Sequence, residues 1–279
     1  MRKHFLFNTV LFIFLLAGSY LLLYPIAGNL ISSRAQSDLI SAYNSAVNDL
    51  SDAEREQLLL DALSYNVSIA EDGPRYHPGS KDLSEYRALL NIDGSGVMGY
   101  IEIPKIKCVL PICHGTDKDS LLTSVGHISW SSLPIGGEST HCVLYGHSGL
   151  LNAKLFSDLD ELVIGDEFTL ITLHEALTYS VDQILVIDSD EIDALQITRG
   201  MDFCSLVSCS PKDIDPHRLV VRGHRIDPAS ALPLSQPIEN AAQISSNKVA
   251  AILSAAVLII LLLFFLLFGR KRRARQSNI

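Results

Sequence analysis

Two uninterrupted apolar runs, one near each end of the chain, limit its architecture more than any other feature. Phe5 to Leu23 is 19 residues with only Asn8, Thr9 and Ser19 as polar interruptions, and Val249 to Phe268 is 20 residues whose single polar side chain is Ser254. A bilayer core of ~30 Å takes about 20 helical residues to cross, and each run meets that length. The second run has no polar face, so it does not read as the half-buried helix of a soluble core. Arg270, Lys271, Arg272, Arg273 and Arg275 follow it closely, and Arg2-Lys3 precedes the first. Basic flanks stay in the cytoplasm, which predicts a transmembrane helix at each end, both termini cytoplasmic and residues 34–248 outside the cell membrane. Basic residues ahead of an apolar stretch, with Ala17-Gly18-Ser19 as small residues, also fit a signal peptide, so residues 1–33 are read as a membrane anchor or signal segment.

The charge of the external part narrows the function classes. Seven of the 22 basic residues lie in the terminal flanks, while none of the 31 acidic residues lies before Asp38 or after Glu239. Residues 34–248 therefore carry 15 basic against 31 acidic groups, a net of −16. Such a surface repels phosphate backbones, so no nucleic-acid partner is expected; the membrane bilayer is one. The segment is long enough to bury a full core. All five cysteines, Cys108, Cys113, Cys142, Cys204 and Cys209, fall within it, and an odd number leaves at least one without a partner in the chain.

Along this segment the pattern changes once. Apolar residues at Leu39, Ile40, Tyr43, Val47 and Leu50 predict a helix over 34–50, and Ser51 with Glu54 forms a capping box for a second helix to about Tyr65. Residues 34–66 thus form a helical prefix. Asp72-Gly73-Pro74 and His77-Pro78-Gly79 then mark a loop, and Asp82 with Glu85 can cap a short helix ending near Leu90, so 67–91 reads as loop plus short helix. Beyond the turn Asp93-Gly94-Ser95-Gly96 come short β-type runs: 97–103, 106–112, 140–145, 167–173, 177–187, 203–209 and 218–226. Seven or eight such strands with one helical insert, Asn152 to Leu162, predict a mainly β domain over 92–228, a closed barrel or sandwich. Residues 229–248 read as a polar linker, 249–269 as the second transmembrane helix and 270–279 as a basic cytoplasmic tail.

Three side chains stand out as candidates for chemistry. Cys209 ends an apolar strand, where a thiol is held rigidly yet can reach a substrate, and Cys204, five positions earlier, falls on the other face. His147 lies between Gly146 and Ser148-Gly149, just past the strand 140–145, although His114, His127 and His141 have comparable settings. Arg218 shares a strand face with Val220 and Arg222, where a guanidinium costs burial energy unless it meets an anion. No Cys-x-x-Cys or His-x-x-x-His spacing exists, so no metal is expected. Phosphate-loop and Gly-x-Ser-x-Gly motifs are lacking too.

Together these features resemble the class C sortases, the pilin-polymerising transpeptidases of Gram-positive bacteria. The likeness rests on Gly99-Tyr100-Ile101-Glu102-Ile103-Pro104-Lys105-Ile106, Leu133-Pro134-Ile135-Gly136-Gly137-Glu138-Ser139-Thr140-His141 and His217-Arg218-Leu219-Val220-Val221-Arg222-Gly223. The family's Thr-Leu-x-Thr-Cys stands here as Ser205-Leu206-Val207-Ser208-Cys209, and its Gly-His-Arg-Gly-Leu-Pro as Gly146-His147-Ser148-Gly149-Leu150-Leu151. The resemblance implies an eight-stranded sortase-type β-barrel, Cys209 as the nucleophile forming an acyl-thioester, His147 as proton donor and acceptor, and Arg218 stabilising oxyanion or substrate. It implies no cofactor, and as partners pilin subunits with a Leu-Pro-x-Thr-Gly-like sorting signal and an acceptor lysine. Sortases that anchor single surface proteins to cell-wall peptide, and membrane-anchored cysteine peptidases, are the alternatives. Class C enzymes usually carry a lid with Asp-Pro and an aromatic; this chain has Asp72-Gly73-Pro74-Arg75-Tyr76-His77 in that place, so no lid residue is carried over.

Overall fold

The computed structural model describes residues 2–72, 80–150, 153–209 and 217–226. Residues 73–79 of the lid-like segment, the linker, the second apolar run and the basic tail lie outside the described residues. The chain opens with α1 (Arg2–Asn48), a single helix of 47 residues, about 70 Å at 1.5 Å per residue. Its apolar part is long enough to cross a membrane by length and composition. The end of α1 then buries Tyr43 and Val47 against Val97 and Cys113, and the Tyr43 hydroxyl accepts a hydrogen bond from the Leu173 N–H at 2.8 Å.

α2 (Asp52–Asp72) starts at the expected capping box: Ser51 N–H and Oγ donate to Glu54 Oε2 at 2.9 and 2.6 Å, and Glu54 N–H donates back to Ser51 Oγ at 3.3 Å. It runs seven residues past the expected end because Asn66 and Ile69 turn into the barrel. The Asn66 amide accepts from Leu133 N–H at 2.7 Å and donates to Leu133 carbonyl at 3.3 Å, pairing with that buried backbone as a neighbouring strand would. α3 (Ser80–Ala88) inserts Tyr86 beneath the barrel wall, where its hydroxyl lies 2.9 Å from His127 Nδ1.

Eight strands follow: β1 (Val97–Ile103), β2 (Cys108–His114), β3 (Val125–His127), β4 (Thr140–Gly146), β5 (Glu167–Thr172), β6 (Glu175–Ile187), β7 (Asp202–Cys209) and β8 (Arg218–Arg225). They close into a barrel in the order β1-β2-β3-β4-β7-β8-β6-β5, so of the two anticipated forms the sandwich is excluded. The pairs β2–β3 and β4–β7 are parallel and the rest antiparallel. Inward positions such as Ile101, Ile112, Leu144, Phe168, Leu206 and Val221 are fully buried and form one core.

The structure departs from the sequence expectation at two places. Residues 104–106 are a 3₁₀ turn, so β2 starts two residues later than expected. The described part of the expected helical insert, residues 153–162, is a chain of turns with a short 3₁₀ piece at Leu159–Glu161. Leu155, Phe156, Leu159 and Leu162 do point into the core, which explains the helix-like spacing. The backbone, however, bonds elsewhere: Phe156 N–H donates to the His147 carbonyl at 3.1 Å, and Leu159 N–H to Phe156 at 3.2 Å.

Candidate active site

Strand register brings the three candidate residues to one end of the barrel. β4 and β7 pair in parallel from Thr140–Asp202 to Gly146–Ser208, so His147 and Cys209 each lie one step beyond the last rung, on adjacent strands. Across β7 the antiparallel partner of Cys209 is Arg218, whose other neighbour is Ile187 at the end of β6. Adjacent strands run about 4.8 Å apart, so residues remote along the chain become a single row.

Alternation then decides the face. Cys142, Leu144, Cys204, Leu206, Leu219 and Val221 belong to the barrel core, whereas Val143, Val207, Val220, Ile187 and Leu195 form a separate apolar cluster on the outside, with Trp130 and Tyr145 against it. Positions 147, 209 and 218 continue the outer series. The outer surface beside the row is thus an apolar wall, and at its end stand an imidazole, a thiol-bearing position and a guanidinium. Cys204 lies in the core as expected, and burial raises its thiol well above the usual range; burial raises Cys113 as well.

Tyr145, which sequence reading did not single out, touches two members of the row. Its ring centroid is 6.0 Å from that of His147 with 74° between the planes, and the Arg218 guanidinium carbon is 5.9 Å from the same ring. Arg218 Nη1 also donates to the His217 carbonyl at 3.4 Å, and His217 Nε2 is 3.1 Å from Asp188 Oδ1. Arg222, on the same strand face, is held differently. It makes a bidentate ion pair with Asp182 at 3.0 and 3.1 Å and stacks on Phe203 at 4.2 Å. Its charge is neutralised there. Arg218 is the strand partner of position 209.

The competing histidines are occupied structurally. His127 Nε2 lies 2.8 Å from the Ser132 carbonyl, which makes it the donor and leaves Nδ1 to accept from Tyr86. His114 faces the carbonyls of Gly96 at 2.9 Å and Leu89 at 2.7 Å. His141 Nδ1 donates to the Gln196 carbonyl at 2.9 Å and Nε2 accepts from Ser205 Oγ at 2.8 Å, a neutral tautomer assigned from its partners. Burial pushes His141 down to about 4, with Arg222 acting in the same direction, so it carries no charge at neutral pH. His147 is the histidine that lies in the row with Cys209. Among the described residues, no group of three or more His, Cys, Asp or Glu side chains is arranged to hold a metal ion.

Comparison with known proteins bears on this geometry. The sortase-domain family profile matches residues 101–226, from within β1 to just past β8. Sortase C1 from Streptococcus agalactiae superimposes with a TM-score of 0.66 at 44% identity, covering 68% of this chain and 98% of its own. The chain belongs to the sortase family, within class C. Sortase C from Clostridium perfringens, solved with the C-terminal cell wall sorting motif, is 41% identical with a TM-score of 0.60, covering 68% of this chain and 99% of that one. Sortase D from Bacillus subtilis is 28% identical over 166 residues, which is 57% of this chain and 81% of that protein. Sortases are cysteine transpeptidases, so the row is where a sortase's thiol chemistry is to be sought. In this sortase α1, α2 and α3 precede the matched domain and pack onto its barrel.

Proposed function

We propose that this sortase polymerises pili: it cleaves a Leu-Pro-x-Thr-Gly-like sorting signal between Thr and Gly through a thioester on Cys209 and transfers the acyl group to a lysine of the next pilin subunit. The observation that carries this reading is the shared outer face of positions 147, 209 and 218, set by the register of β4, β7 and β8 and bordered by an apolar wall. Support for the substrate comes from the similarity to the Clostridium perfringens enzyme, whose structure holds a cell wall sorting motif.

The steps follow from the side chains. The Cys209 thiolate attacks the threonine carbonyl carbon, and the carbonyl oxygen takes up the negative charge. Arg218 donates its N–H groups to that oxygen; its planar fork keeps its charge at every working pH, and losing one such donor typically costs about 3 kcal/mol of transition-state stabilisation. The C–N bond then breaks while His147 gives its proton to the departing glycine amine, leaving the thioester. A lysine amine attacks next, His147 takes its proton, and the Cys209 thiolate leaves. The apolar wall limits water near the thioester and so favours the amine over hydrolysis.

The membrane setting belongs to the same proposal. Anchoring through α1, with the run 249–269 as a second span and the barrel outside, holds enzyme and anchored pilin in one bilayer and raises their effective concentration. The test is mass spectrometry of the protein mixed with a sorting-signal peptide. The expected result is a hydroxylamine-sensitive acyl adduct on Cys209, absent from Cys209→Ala, and ladders of linked subunits when a purified pilin is supplied. Turnover that persists in Cys209→Ala, or product that stays the free acid whatever amine is added, refutes the reading.

A further inference from the structure

We propose that the apolar rim formed by Val163, Ile164, Ile184 and Val186 is a second membrane contact, seated in the outer part of the lipid layer that α1 enters. It rests on the membrane reading of α1 given above and adds a lipid-binding surface on the barrel itself. Among the described residues of the barrel domain six large apolar side chains are exposed, and these four belong to the end that carries positions 147, 209 and 218. The other two stand apart: Leu122 lies in the β2–β3 connection, and Met201 precedes β7 at the opposite end from Cys209.

Two features of the backbone put the rim on the surface. Residues 163–166 form a tight turn: Asp166 N–H donates to the Val163 carbonyl at 3.1 Å, Val163 N–H donates to Asp166 Oδ2 at 2.6 Å, and Gly165 takes a φ of +91°. Turn tips ordinarily carry polar residues, yet Val163 and Ile164 are 55% and 69% exposed. The turn is stitched to β6, because Gly165 N–H donates to the Val181 carbonyl and Val181 N–H to the Asp166 carbonyl, each at 2.8 Å. Past that point β5 has ended, at the Glu167–Ser180 rung, whereas β8 continues beside β6 to the Ile187–Arg218 rung. The last residues of β6 thus have a strand on one side only, and Ile184 and Val186 are 36% and 59% exposed. Grouped exposed apolar side chains of this kind mark a surface that meets protein or lipid.

The course of α1 selects lipid. Asn29 of α1 accepts from Lys154 N–H, the next carbonyl, of Leu155, faces Cys108 Sγ at 3.7 Å, and Lys105 of the same β1–β2 connection pairs with Asp166 at 2.7 Å. This chain of contacts sets the turn beside the part of α1 that leaves the apolar run. Tyr20 and Tyr24, exposed on α1 with ring centroids 5.8 Å apart, mark the interfacial zone where tyrosine rings settle. Asn29 lies five residues, about 7.5 Å, past Tyr24, and a headgroup layer is about 5–7 Å deep, so the rim stands at the level of the headgroups. The contact is apolar rather than ionic. Lys105 and Lys154 beside it are paired with Asp166 and Asp158, and Asp160 and Glu161 add exposed negative charge. A spanning helix by itself tilts over about 0–40°; a second contact fixes the height of positions 147, 209 and 218 above the bilayer.

The experiment places the full chain in phosphatidylcholine vesicles and reads tryptophan quenching by lipid brominated near the top of its acyl chain. Ile164→Trp and Val186→Trp each add a reporter, read against the unsubstituted protein with its Trp130, and Leu122→Trp is the exposed control away from the rim. Fluorescence added at 164 and 186 is expected to be blue-shifted and quenched by about half or more, as for side chains about 5–10 Å into the interface, while that at 122 stays red and unquenched. Raising salt to about 0.5 M, which screens exposed charges, should leave the quenching unchanged. Joint Val163→Ser and Ile164→Ser should leave turnover of a soluble peptide unchanged; a loss there assigns the rim to the client chain and overturns the proposal. Emission at 164 and 186 as red as at 122, quenching abolished by salt, or a blue shift without bromine quenching, which means that protein covers the rim, overturns it as well. Should one reporter variant fail to fold, the other decides. Protein that does not float with the vesicles defeats the membrane reading of α1 and this contact together; floating protein with unquenched reporters defeats this contact alone.

Discussion

Acid should weaken this fold through one identifiable side chain. His141 is 1% exposed, donates from Nδ1 to Gln196 carbonyl and accepts at Nε2 from Ser205 Oγ, so the folded protein holds it neutral. Its folded value is about 4 against an ordinary 6.5. Because the folded value is depressed, the unfolded chain takes up the proton first as pH falls. The stabilisation is complete above pH 6.5, is lost between 6.5 and about 4, and levels off below that. Each unit is worth 1.36 kcal/mol, so the window amounts to about 3 kcal/mol, a large share of a typical domain's stability. His114, lowered by burial, acts in the same direction. The chain has a single tryptophan, Trp130, packed against the outer apolar cluster, so its fluorescence during urea unfolding reports the relevant region. The midpoint should fall steadily from pH 7 to 4, and His141→Gln should remove about one proton's worth of that slope. An unchanged slope in His141→Gln, or stability that rises on acidification, would refute the assignment of a neutral buried imidazole.

Three substitutions test other parts of the structure. Arg218→Lys keeps the charge but removes the fork, and should reduce kcat/KM about 10- to 100-fold in a peptide-transfer assay with Tm nearly unchanged. Asn66→Ala strips both partners from the buried Leu133 backbone and should destabilise by about 2–4 kcal/mol in urea titration, without altering the chemistry of residual folded protein. Gly146→Ala would put a Cβ 2.6 Å from Phe156 Cδ2 and 3.1 Å from Val125 Cγ1. Phe156 is fully buried, so the substitution should cost about 1–3 kcal/mol and also lower activity through the adjoining His147, read by thermal melting and the transfer assay together.

How far the molecule could be read from its residues depended on whether the signal was local. β1 was legible to the residue because Val97–Ile103 carries its own pattern between a glycine turn and a proline. β3 was not: three residues containing Gly126 and His127 carry no alternation, and the strand exists because β2 and β4 pair with it. The helical insert failed for the converse reason. Its apolar spacing was real, but the His147 carbonyl captured the Phe156 N–H and drew the segment into turns. The prefix looked like an anchor followed by a separate helix at Arg34; α1 instead passes through Pro25 without a break, and its end is held by tertiary burial of Tyr43 and Val47. At the site, Cys209, His147 and Arg218 were recognisable only as a set. What joins them is the pairing of β4 with β7, a parallel contact between distant segments that no local pattern encodes. Tyr145, Asp188 and His217 were missed as neighbours of the row for the same reason, although the two-residue offset of Tyr145 from His147 on a strand was a usable clue.

The unbroken course of α1 also sets a mechanical condition. Leu23 ends the apolar run, and six residues later Asn29 Oδ1 accepts a hydrogen bond from Lys154 N–H at 3.2 Å. Six helical residues rise only about 9 Å. Lys154 is two residues from Phe156, whose N–H bonds the His147 carbonyl, so the end of the barrel that carries positions 147, 209 and 218 is the end that looks back along α1. With α1 seated in lipid, that end hovers roughly one headgroup layer above the hydrocarbon, like a tool bolted to the floor rather than carried on a leash. Under the function proposed above, client chains would then have to deliver the bond to be exchanged down to that altitude. A target whose motif floats far from the bilayer gains nothing from sharing the membrane.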